Sequence, residues 1–134
     1  MIVVDTNVIG YLYLASERSD QAEQLLLKDP QWAAPVLWRS ELRNVLALYM
    51  RRDMLSLQEA QQIMEAAMRL MRAREYEVVS SQVLALAAAS NCSAYDCEFV
   101  ALAQDLGVPL VTVDKRVLDQ FPGFAVPLEL GAGS

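Results

Sequence analysis

The chain has 134 residues, 54% of them hydrophobic, and a net charge of −6, which suits one globular domain with a real core. It contains no histidine, so a His general base, a His-containing triad and a His-ligated zinc or haem are excluded. No apolar run approaches the roughly 18 residues a membrane helix needs, and the opening Met-Ile-Val-Val-Asp lacks a signal peptide's basic start, so a cytoplasmic protein without membrane association is expected.

In chain order, the first apolar run ends at Asp5 and reads as a short buried strand over 1–5. A helix capped by Thr6 or Asn7 should follow, carrying Val8, Ile9 and Leu12. Asp20 and Glu23 have capping-box spacing and predict a second helix ending before Pro30. The stretch 33–36 is a weak strand. Trp38, Leu42, Val45, Leu46 and Tyr49 then recur at three and four, which predicts a helix over 38–52. Ser56 and Glu59 form a second capping-box pattern, opening a helix to about Arg72.

A short strand is expected over 76–79 and a helix of small residues over 83–89. Ser93 should cap a helix that ends at Leu106, with Gly107 as its stop. The run Leu110-Val111-Thr112-Val113 repeats the form of the first strand and again meets a carboxylate, Asp114. A short helix over 115–121 and a weak last strand over 125–128 complete a single domain over 1–130. The tail 131–134 is expected to be disordered. Strands alternating with helices predict an α/β fold with a parallel sheet and right-handed crossovers.

Two strands that deliver an aspartate at their carboxyl ends suggest one acidic site, because ligands of open α/β sheets bind in the crevice there. Two helical acids add to it. Glu41 shares a helix face with Val45 and Leu48, and Asp96 one with Phe99, Val100 and Ala103. Each acid alone has an ordinary structural reading. Asp5 can cap the next helix, Glu41 can pair with Arg39 or Arg43, Asp96 can complete a capping box with Ser93, and Asp114 can be a turn residue. Together they would crowd like charges unless a cation neutralises them. Hard oxygen ligands without His or Cys favour Mg²⁺ or Mn²⁺ over zinc, and Thr6, Asn7 and Thr112 stand beside the acids as supporting groups.

Cys92 and Cys97 match no zinc or dithiol motif and read as reduced thiols. Seven of the eleven basic residues fall between Arg39 and Arg74, so an acidic protein retains an Arg-rich middle able to meet phosphate oxygens.

Asp5-Thr6-Asn7, Ser40-Glu41-Leu42, the stretch from Tyr95-Asp96 to Ala103, and Thr112-Val113-Asp114 resemble, in order, the motifs of the PIN domain, and more closely the VapC-type toxins of toxin–antitoxin pairs. The resemblance implies a three-layer α/β/α sandwich with a central, mostly parallel sheet of four or five strands. It implies a Mg²⁺- or Mn²⁺-dependent endoribonuclease in which Asp5, Glu41, Asp96 and Asp114 hold the metal and Thr112 supports the site. It also implies a homodimer, an RNA substrate and a cognate antitoxin that inserts a C-terminal segment into the acidic pocket. Glu98 is an accessory candidate outside that set. The alternatives are a non-catalytic PIN-like partner-binding module and another Mg²⁺-dependent phosphohydrolase.

Overall fold

The opening apolar run forms β1 (Ile2–Val4), wholly buried, and the chain turns at Asp5 into α1 (Thr6–Tyr13). There follow α2 (Ser19–Lys28), β2 (Trp32–Pro35), α3 (Leu37–Arg51), α4 (Leu57–Leu70), the two-residue β3 (Glu75–Tyr76), α5 (Ser80–Ala88) and α6 (Ala94–Leu106). The last elements are β4 (Leu110–Thr112), α7 (Lys115–Gln120), β5 (Ala125–Pro127) and α8 (Leu128–Ala132). This computed structural model describes residues 1–132.

The five strands form one sheet in the order β3-β2-β1-β4-β5, with every neighbouring pair parallel. Strands buried on both faces need no apolar–polar alternation, which is why β1 (Ile-Val-Val), β2 (Trp-Ala-Ala-Pro) and β4 (Leu-Val-Thr) are uncharged and almost wholly apolar. From β1 the chain moves outward through β2 to β3, then returns across the sheet to β4 and β5. Right-handed crossovers place the helices of the outward leg on one face and those of the return leg on the other. In accord with this, α1 packs between α2 and α3, with α4 against α3, while α6 crosses β1, β2 and β4 with α5 against it. The reversal makes the gap between the carboxyl ends of β1 and β4 the topological switch point.

The expected sandwich is the architecture observed, with local corrections. Asp5, not Thr6 or Asn7, caps α1. The Asp20–Glu23 box does not form: Ser19 Oγ accepts the Ser16 N–H and Ser16 Oγ accepts the Arg18 N–H, so the helix starts at Ser19 without a side-chain cap. The 76–79 strand is instead Glu75–Tyr76, because its register is fixed by pairing with Ala34 and Pro35. Residues 131 and 132 belong to α8, which docks on α2, rather than to a disordered tail; residues 133 and 134 of that expected tail lie outside the described residues. The Ser56–Glu59 capping box and the left-handed Gly107 stop are present as expected.

Candidate active site

All seven residues singled out from the sequence line one cleft of about 250 Å³ at the switch point: Asp5, Thr6, Asn7, Glu41, Asp96, Thr112 and Asp114. They arrive from four segments far apart in the chain. The turn after β1 brings Asp5, Thr6 and Asn7, α3 brings Glu41, the first turn of α6 brings Asp96, and the end of β4 brings Thr112 and Asp114. Asn44, one helical turn beyond Glu41, also lines the cleft; the i, i+3 spacing from Glu41 was the signal that could have found it.

Asp5 is fixed through both oxygens. Oδ1 accepts the Val8 N–H at 3.0 Å as the cap of α1. Oδ2 accepts the Thr112 hydroxyl and, at 3.2 Å, the Val113 N–H. Thr112 Oγ1 in turn accepts the Asp114 N–H at 3.0 Å, so one buried hydroxyl ties the ends of β1 and β4 together. Asp114 Oδ1 caps α7 by accepting the amides of Arg116 and Val117. Thr6 donates to Glu41 Oε1 at 2.7 Å. The salt-bridge reading of Glu41 thus gives way to a hydroxyl contact, while Arg39 is held by both oxygens of Glu75. The first turn of α6 is capped by Ser93, whose Oγ accepts the Asp96 N–H.

The electrostatics follow from the crowding. Burial pushes the Asp5 carboxyl above its ordinary range; its hydrogen bonds from Thr112, Val8 and Val113 oppose the rise, and the Asp114 charge adds to it. Desolvation likewise raises Glu41, against the Thr6 hydrogen bond and with the charges of Asp96, Asp5 and Glu98. Asp96 is raised first by desolvation and then by Asp114, while Ser93 and Arg116 pull it back. Glu98 does not line the cleft, yet its charge reaches Glu41. Among the described residues no three acids already converge as a finished metal shell; the four line the cavity without closing on one point.

The donor chemistry of this cleft nevertheless fits a hard divalent cation, because its ligating atoms are carboxylate, hydroxyl and amide oxygens, with neither cysteine at the wall. A family model described as the PIN domain matches residues 2–123. The chain belongs to the PIN-domain family. Within that family, this PIN domain is 32% identical over 129 residues to Ribonuclease VapC3 of Pyrobaculum aerophilum, covering 94% of this chain and 98% of that one. Its fold is shared with the crystal structure of PAE2754 from Pyrobaculum aerophilum (TM-score 0.78, 19% identity, 98% and 92% of the two chains). It is shared too with a chain of a toxin–antitoxin complex from Klebsiella pneumoniae (TM-score 0.69, 19% identity, 96% and 98%).

Proposed function

We propose that this PIN domain is a Mg²⁺- or Mn²⁺-dependent endoribonuclease and the toxin of a toxin–antitoxin pair, acting in the cytoplasm as a homodimer. The observation that carries the reading is the convergence of four carboxylates from four chain segments on one His-free cleft at the switch point. The named relative is a ribonuclease, which supports RNA as the substrate. The fold shared with a toxin–antitoxin complex supports a cognate antitoxin as the partner, with a cationic side chain suited to the acidic cleft.

Asp5, Glu41, Asp96 and Asp114 would hold the ion. When bound, a divalent ion there offsets charge on the attacking and leaving oxygens of a phosphodiester and lowers the pKa of water. The rest is done by the chain itself. Thr112 and the Val113 amide keep Asp5 in one orientation, and Thr6 does the same for Glu41, so neither carboxylate must be ordered when substrate arrives. Arg116, near enough to Asp96 to oppose its protonation, stands with Lys115 where α7 begins and offers positive charge to an approaching phosphate.

The test is incubation with mixed RNA and Mn²⁺ or Mg²⁺, with and without EDTA, beside the Asp96→Asn variant. Cleavage is expected only with metal and only in the wild type. Cleavage that survives EDTA or Asp96→Asn sinks the mechanism, and metal binding without cleavage of any RNA favours a partner-binding module.

A further inference from the structure

A second cavity, of about 80 Å³, lies between α1 and α3 and abuts the acidic cleft. Its walls are apolar and aromatic: Gly10 and Tyr11 from α1, Leu14 just beyond the end of that helix, and Leu42, Val45 and Tyr49 from α3. Thr6, Asn7 and Val45 border both cavities, so the slot begins where the cleft ends. Tyr11 is steadied by its hydroxyl, which accepts from Arg18 at 3.3 Å. The exposed amide of Asn7 stands at the shared border.

Gly10 is informative. It lies inside α1, where glycine is a poor helix residue. Neither backbone nor packing demands it: its φ is not positive, and a Cβ there would meet its nearest neighbour, Leu42 Cδ1, at an ordinary 4.0 Å. Alanine would fit and would favour the helix. What the missing side chain leaves is space at the wall of the slot.

We propose that this slot is a nucleobase subsite, holding the unstacked base of the nucleotide next to the scissile phosphodiester; the proposal rests on the ribonuclease reading. A phosphodiester in the cleft necessarily carries a base on either side, and the slot opens at the cleft border. A base is neutral, so the acidic surroundings that repel phosphates do not repel it. Tyrosine rings and aliphatic walls suit its π-face, and an amide at the rim suits its hydrogen-bonding edge. Single-stranded RNA is recognised through splayed bases of this kind.

The experiment has two arms. In the first, wild type, Gly10→Ala and Tyr49→Ala cut a single-stranded RNA of randomised sequence with Mn²⁺, and product ends are sequenced. The wild type should favour one base class at a fixed position beside the cut. Gly10→Ala should melt higher yet flatten that preference, and Tyr49→Ala should weaken it roughly tenfold. An unchanged base profile in both variants overturns the proposal.

The second arm needs no catalysis. Unphosphorylated nucleosides are titrated in EDTA while resonances of Leu42 and Tyr49 are followed by NMR. Shifts in wild type that are lost in Gly10→Ala are the expected result. Absence of shifts overturns the subsite, including the outcome in which only an apolar peptide fills the slot. If no RNA is cleaved under any metal, the ribonuclease reading fails while this arm still decides whether the slot takes a base.

Discussion

Asp5 performs three structural tasks with two oxygens: it ends a strand, caps a helix and accepts a hydroxyl and an amide from the far side of the sheet. Like-charge crowding alone predicts that Asp5→Asn stabilises the metal-free protein. An asparagine, however, turns one accepting corner into an N–H donor that faces a backbone amide, and an unsatisfied buried donor costs about 1–3 kcal/mol. The two effects oppose, so the melting temperature of Asp5→Asn is expected to move little. Glu41 separates them. Its one contact from Thr6 goes to a single oxygen, which a glutamine retains. Glu41→Gln should therefore stabilise the metal-free protein, on the order of 1 kcal/mol after solvent screening at the cleft mouth, or roughly 3–5 °C. It should also lose most of the rise in melting temperature expected of the wild type with Mn²⁺. Thermal scans with EDTA and with Mn²⁺ check both halves; a variant no more stable than wild type without metal refutes the crowding argument.

At the scale of elements, α3 is pinned to β3 by a small polar cluster away from the cleft. Glu75 accepts the Trp38 indole N–H at 2.8 Å and both forks of Arg39 at 2.5 and 2.6 Å. Its pKa is lowered, first by the Arg39 hydrogen bonds and further by Trp38 and the Arg39 charge, against desolvation. A depressed carboxyl stabilises the fold above the unfolded pKa, about 4.3, and that contribution is lost as pH falls through the folded value. Glu75→Ala should thus flatten the acid limb of the stability profile below about pH 5. It should also cost roughly 2–3 kcal/mol at pH 7, because Trp38 is fully buried and its N–H would be orphaned. Urea titrations of both proteins at pH 7 and pH 4 measure this, and equal pH slopes would contradict it.

This cluster also shows where sequence reading stops. The strand-end motif of Asp5 and the helical period around Glu41 and Asp96 were legible because each is local, and the structure gathers those residues around one cavity. Which acid Arg39 would take was not legible, since Glu75 lies 36 residues away and comes into reach only when β3 pairs with β2. The same holds for α8, whose glycine-bearing stretch looks like a tail until β5 delivers it to α2.

On the scale of the whole molecule, the two faces of the sheet are covered by different legs of the chain, and α8 extends the α2 side by packing against β4, β5 and α2. Leu128, at the start of α8, is fully buried. Leu128→Ala should therefore cost about 2–5 kcal/mol, measurable as a lower urea midpoint with an unchanged m-value; a loss under 1 kcal/mol would mean that α8 is not an integral part of the layer. The net charge of −6 also means that phosphate approaches the cleft against the mean field, which makes the local cations at the start of α7 matter more than their number suggests.

The hydroxyl link between Thr112 and Asp5 spans 107 residues, and the strands it joins are parallel. Non-local parallel pairing closes late in folding, because loop entropy must be met before such contacts reward it. A chain emerging from a ribosome exposes Asp5 long before β4 exists to hold it. On the proposed ribonuclease reading this ordering would act as a safeguard in time: the nascent polypeptide, still tethered to the RNA that encodes it, has no assembled cleft until β4 has been made.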